Sequence, residues 1–109
     1  MKKEILEFHS EFCKTFSSSK RLEILCMLKE GELTVTDMTK KLGVPKANVS
    51  QHLALMRMRG ILKTRRDGIN IYYMIANKRI AQACSLMQGA LVHLMKGVAV
   101  SRAGKFLPR

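Results

Sequence analysis

Residues 34–46 constrain this chain more than any other stretch. Thr34-Val35-Thr36-Asp37 has the form of a capping box, a hydroxyl at the N-cap and a carboxylate three residues on, which predicts a helix start. Val35, Met38 and Leu42 follow at helical spacing, so a short helix over roughly 35–42 is expected with that side inward. Gly43 ends it, and Gly43-Val44-Pro45-Lys46 is a tight turn. Gly just past one helix and Pro near the start of the next is the expected asymmetry. A second helix is then expected from Pro45 to Gly60, PKANVSQHLALMRMRG.

At ~100° per residue, Leu53 and Met56 fall within about 40° of Val49, with His52 at the margin. Ser50, Gln51, Ala47, Ala54 and Met58 fall on the opposite side. The inner face is apolar, and the outer face carries small and hydrogen-bonding residues and no acid. A solvated face normally mixes Glu and Lys. An acid-free one flanked by Lys46, Arg57 and Arg59 suits a phosphate-rich surface, and Ser and Gln can reach base edges. Asn48, on the same helix, is grouped with these candidates. The alternative is a surface helix that is basic by chance. Helix, short turn and basic second helix make a helix-turn-helix, which favours the former.

Composition bears on both readings. The 109 residues suffice for one domain with one core, and 47% hydrophobic content can fill it. Twenty Lys and Arg stand against 8 Asp and Glu, a formal charge of +12. A nucleic acid is therefore the leading partner and an anionic membrane surface the runner-up. No apolar run approaches ~20 residues, so no bilayer span is expected. Charge returns soon after Met1-Lys2-Lys3-Glu4, which argues against a secretory signal. Three cysteines, an odd number, fit a reducing, cytoplasmic compartment better than a disulfide framework.

Elsewhere, residues 3–16 read as an amphipathic helix with Ile5, Phe8, Phe12 and Phe16 one above another, and Leu6 and Cys13 beside them. That much aromatic surface suggests a partner subunit, with ordinary core burial as the alternative. Any of Ser17-Ser18-Ser19 can cap a second helix, residues 20–30, with Leu22, Leu25, Cys26 and Leu28 inward and Gly31 closing it. After Gly60 the period changes. Residues 61–66 and 69–75 read as two strands around an Asp67-Gly68 turn signal. This basic hairpin reads as a wing, with Arg65 and Arg66 near its tip, where they would meet phosphates or a minor groove. The alternative is a solvated hairpin whose arginines only prevent edge pairing. A final helix over roughly 78–96 carries Ile80, Ala83, Cys84, Met87, Ala90, Leu91 and Leu94 as a stripe that suggests a dimer seam. The domain is thus expected to span residues 1–96, with 97–109 a loose basic tail. The fold expected is mostly α with a two-stranded β-wing: four helices, two strands and a fifth helix, forming a homodimer through the first and last helices.

The residues also resemble a particular family. Arg21-Leu22, Leu25, Gly31-Glu32-Leu33-Thr34-Val35, Asp37, Val49-Ser50-Gln51-His52-Leu53, Leu55, Gly60-Ile61, Gly68 and Tyr72-Tyr73 look like the ArsR/SmtB repressors over roughly residues 5–95. The resemblance implies a winged helix-turn-helix homodimer that binds a palindromic double-stranded DNA operator and is released by an inducer. The departures are as informative. The family's arsenic and cadmium sensors carry cysteine at the position of Thr34, and many another at Thr36. Threonine cannot supply a thiolate. Its zinc, cobalt and nickel sensors use a carboxylate and imidazoles at positions matching Asn77, Arg79, Ala90 and His93, where one donor of the four remains. A metal site needs several converging donors, so no metal is expected at either place, and no cofactor.

Cys26 matches one of the two reactive cysteines of the family's persulfide and redox sensors, and Val92 stands where they carry the second. Cys84 lies eight residues earlier, ~12 Å along a helix, beyond the ~7 Å Cα reach of a disulfide in that register. Cys13 is the other candidate partner. The alternative is that all three are small core hydrophobes. No nucleophile–base pair, phosphate loop or motif-spaced carboxylate pair suggests an enzyme. The competing function is a sequence-tolerant nucleoid or RNA-binding protein. The inducer is not readable from the residues.

Overall fold

The computed structural model describes residues 1–97. The chain divides into two units, Met1–Lys78 and Arg79 onward. In the first, α1 (Lys3–Lys14) runs into a tight helical turn at Thr15–Ser17, followed by α2 (Ser19–Lys29), β1 (Leu33–Thr34), α3 (Val35–Leu42), α4 (Lys46–Met58), β2 (Leu62–Asp67) and β3 (Asn70–Ile75). The second holds, within the described residues, the helix α5 (Lys78–Gly97) from its second residue on. The tail expected at 97–109 falls, beyond Gly97, outside the described residues.

Local chemistry accounts for the helix ends. Ser18 caps α2, its Oγ accepting from the Arg21 N–H at 3.3 Å. The capping box of α3 is present in both directions: Thr34 Oγ1 accepts from the Asp37 N–H at 3.2 Å, and Asp37 Oδ2 accepts from the Thr34 N–H at 3.4 Å. Gly43 closes α3 at φ 66°, a left-handed conformation that costs glycine no side-chain clash. Pro45 occupies the N-cap of α4.

The core of the first unit lies where these helices meet. Ile24, Leu25 and Leu28 of α2, Met38 of α3, Val49, Leu53 and Met56 of α4, and the adjoining Ile61 and Leu62 are all buried. Each such side chain contributes roughly 1.5–3 kcal/mol of transfer free energy. The stripe expected on α4 is the buried one. On α2 the buried set differs from expectation: Ile24 joins Leu25 and Leu28, while Leu22 and Cys26 are half-buried.

The hairpin differs in two details. β1 pairs antiparallel with β3, Leu33 opposite Tyr73 and Thr34 opposite Tyr72, so the sheet has three strands in the order β1-β3-β2. Asp67 is paired with Asn70 at the hairpin end, which leaves Gly68 and Ile69 as the central turn residues. Gly68 takes the positive φ of 64° that a two-residue hairpin needs at its first central position, rather than Asp67 and Gly68 forming the pair.

Phe8, Phe12 and Phe16 form the expected ladder, with ring centroids 6.3 and 5.2 Å apart. Phe12 and Phe16 are half-buried, whereas Ile5, Leu6 and Phe8 are exposed. On α5, Leu86, Met87, Leu91, Val92, Leu94 and Met95 are exposed.

Candidate nucleic-acid interface

The α4 helix sets the site. Burial of Val49, Leu53 and Met56 at 0% exposure fixes its rotation. Ala47, Asn48, Ser50, Gln51, Ala54 and Met58 are consequently exposed, together with Lys46 and Arg57. Among the described residues, no side-chain hydrogen bond or ion pair engages Lys46, Asn48, Ser50, Gln51 or Arg57. An outward row of uncommitted donors and acceptors with no acid is suited to an anionic surface that also offers hydrogen-bonding edges.

The wing is attached to this helix through one residue. After Gly60, at φ 77°, the Ile61 N–H donates to the Met56 carbonyl at 2.9 Å. The Ile61 carbonyl accepts from the Ala76 N–H, also at 2.9 Å, just past the end of β3. Ile61 itself is fully buried. Both ends of the hairpin are thereby referred to the last turn of α4.

The two candidate wing arginines have different surroundings. Arg66, opposite Ile71, is exposed and has no ion-pair partner among the described residues. Arg65, opposite Tyr72, is committed: Nε donates to Glu32 Oε2 at 3.2 Å, a second nitrogen donates to Glu32 Oε1, and the guanidinium lies 4.8 Å from the centre of the Tyr72 ring. That pairing holds the Glu32 carboxyl below its ordinary value and the Arg65 guanidinium above its own. The sequence assigned Arg65 to phosphates without regard to this acid. Glu32 lies more than thirty residues away and reaches Arg65 only because β1 joins the sheet.

His52, at the margin of the inner face, is half-buried and meets a side chain. Its Nδ1 accepts from Arg21 Nε at 3.2 Å. Burial, reinforced by the Arg21 charge, holds the imidazole below its ordinary value. Cys13 is exposed on α1, Cys26 half-buried on α2 and Cys84 half-buried on α5. Cys26 lines a groove of about 440 Å³ between α2 and α3, with Ser19, Leu22, Glu23, Met27, Lys41 and Leu42. No three His, Cys, Asp or Glu residues among those described converge as a metal site would require, and no described helix is long and apolar enough to cross a membrane.

Comparison with known proteins places this geometry among regulators. The model of the family described as "Bacterial regulatory protein, arsR family" matches residues 18–64. The regulator KmtR of Mycobacterium tuberculosis is 35% identical over 66% of this chain, a region that spans only 55% of KmtR itself. The transcriptional activator HlyU of Vibrio cholerae is 31% identical over 68% of each chain. The transcriptional repressor PagR of Bacillus anthracis is 39% identical over 75% of this chain and 83% of its own. Among solved structures, the M. tuberculosis protein Rv0081 superposes with a TM-score of 0.81 at 28% identity, covering 88% of this chain and 97% of that one. The homodimeric winged helix-turn-helix DNA-binding domain Mb0332 of Mycobacterium bovis does so with 0.80 at 26% identity, covering 86% and 87%.

Proposed function

The chain belongs to the arsR family of bacterial regulatory proteins, and from that premise we propose that it is a dimeric, sequence-specific DNA-binding repressor. The observation that carries the proposal is the exposed, acid-free face of α4, rotated outward by the buried Val49–Leu53–Met56 stripe and joined to a basic hairpin. In this reading Asn48, Ser50 and Gln51 face base edges in a major groove, and Lys46, Arg57 and Arg66 hold phosphates. Arg65 contributes through the wing, as a phosphate contact when Glu32 yields it. The exposed apolar residues of α1 and α5 form the seam between two copies. The homodimeric M. bovis relative supports that assembly. A two-fold dimer calls for a palindromic operator. The working unit is residues 1–96, with the remainder a basic tail. The protein is not an enzyme, uses no metal at the family's positions, and acts in the cytoplasm.

The inducing signal most consistent with these residues is thiol chemistry at Cys26, with Cys13 or Cys84 as partner. Cys26 is half-buried and lines a solvent-open groove between α2 and α3. Operator affinity before and after persulfide treatment, for wild type and Cys26→Ser, tests this. Equal affinities for wild type would leave the thiols as packing.

The competing reading, a sequence-tolerant nucleoid or RNA-binding protein, draws on the net charge of +12. Both readings entail salt-dependent binding. Selection from a random duplex library separates them. A repressor enriches one palindrome that outcompetes random DNA by about 10³ or more, whereas a sequence-tolerant binder enriches nothing.

A further inference from the structure

We infer that Arg21 and His52 form a positioning link that carries the placement of the C-terminal end of α1 onto the middle of α4, and so sets the angle at which each protomer presents its reading face. The inference rests on the operator-binding reading above. Its basis is a continuous set of contacts. Arg21 is held at the first turn of α2 by its own N–H, bonded to Ser18 Oγ. From there its guanidinium reaches in two directions. Nη1 donates to the Thr15 carbonyl at 3.2 Å, and Nε donates to His52 Nδ1 at 3.2 Å. Thr15 is 2% exposed, so its end of the contact is anchored in the turn that closes α1. One turn earlier on α1, the Glu11 carbonyl accepts from Arg59 Nη1 at 3.5 Å, and Arg59 sits at the C-cap of α4. The end of α1 is therefore tied to α4 at its middle and at its end.

Packing alone does not account for this arrangement. A ring beside the fully buried Leu53 would fill space with either nitrogen forward. Here Nδ1 faces a permanent cation as an acceptor, which requires the neutral imidazole with its proton on Nε2. A protonated ring would set two donors and a second positive charge against Arg21. Arg21 on α2 is the charged group whose field acts on the ring. At the α1–α4 contact the charged groups are Glu11, Lys14 and Arg59. Glu11 is held below its ordinary value first by the hydrogen bond from Lys14, and less by the Arg59 charge, so it stays ionised where a histidine titrates.

The lever is long relative to the tolerance. The 13 residues of α4 span ~20 Å, so a tilt of about 5° about its middle moves each end by roughly 1 Å. That exceeds the range of about 0.5 Å over which donor–acceptor distances remain bonding. The sensitive property is therefore the spacing at which two half-sites are accepted together, more than contact with either alone.

The test uses the duplex that the wild-type protein selects from a random library, rebuilt with single base pairs inserted or removed between its halves. Binding is measured in a pH series from about 7.5 downward through and past the ordinary histidine range, since burial and the Arg21 charge hold the His52 imidazole below it, alongside thermal melts. Wild type should prefer one spacing by about tenfold or more at the top of the series and lose most of that preference at the bottom. His52→Asn, whose amide oxygen can accept near the Nδ1 position and does not titrate, should keep the preference throughout. His52→Ala should bind all spacings within about threefold throughout. His9 and His93 remain in every variant, so an acid effect arising from them would persist in His52→Asn. Folded His52→Ala with wild-type spacing preference would overturn the link, as would coincident pH profiles for wild type and His52→Asn. Should His52→Ala fail to fold, those two profiles decide on their own. A wild-type protein that selects no duplex would instead refute the operator-binding reading.

Discussion

Glu32 and Arg65 meet in a two-pronged ion pair that spans the sheet, the carboxylate coming from just before β1 and the guanidinium from β2, above the ring of Tyr72 on β3. An acid is thus paired with a cation that the operator-binding reading assigns to phosphate. Glu32→Gln should release Arg65, and the slope of log affinity against log salt should steepen by about one. Anisotropy titrations across a salt series measure it, and an unchanged slope would mean that Arg65 does not reach the backbone. The pH sense follows from the depressed Glu32 value. The pair is fully formed above the ordinary carboxylate range and is lost as pH falls through the lowered one.

Gln51→Ala should cost roughly 1–3 kcal/mol of operator affinity and relax choice at one base pair of each half-site. Arg66→Ala should instead weaken all sequences alike and flatten the salt slope by about one. Competition between the selected duplex and single-base variants distinguishes them. Unaltered sequence preference in Gln51→Ala would remove this face of α4 from the reading role.

Sedimentation at micromolar concentration without DNA should show a dimer. Phe8→Glu, on the exposed part of the α1 ladder, and Leu91→Glu, on α5, should each shift it toward monomer without unfolding the protomer, since neither side chain is buried within it. A wild-type monomer, or tight binding to a single half-site, would sink the dimer.

Thr34→Ala removes the hydroxyl that accepts from the Asp37 N–H and should cost ~0.5–2 kcal/mol in urea unfolding. Thr34→Ser, which keeps the oxygen, should recover most of it. Equal losses in both variants would shift the importance of Thr34 from the cap to its pairing opposite Tyr72.

The helices and the outward face of α4 were legible because their determinants are local. Thr34, Asp37 and Gly43 mark the ends of α3 within ten residues, and Val49, Leu53 and Met56 repeat at the helical period. β1 was not legible, since two residues carry no period and Leu33 and Thr34 pair only once Tyr73 and Tyr72 arrive from a distant strand. The same distance hid the Glu32–Arg65 pair. His52 was placed correctly at the margin of the wheel, but its partner is 31 residues away in sequence and no spacing rule points to it. The turn shifted by one residue because Asp-Gly and Gly-Ile both satisfy hairpin chemistry, and the register of Asp67 with Asn70 decides between them.

Ile61 bonds Met56 on one side and Ala76 on the other, so helix and hairpin share a single fixed junction. In evolutionary terms, that junction is where length is least negotiable. A residue inserted between Arg59 and Leu62 would rotate the hairpin out of phase with the outer face of α4, even with every exposed side chain of both retained. In the operator-binding reading proposed above, new preferences accumulate by substitution along the outer face of α4 or at the wing tip. In that reading, any change in the distance between α4 and wing contacts comes from the DNA, through the bend or groove width of the site.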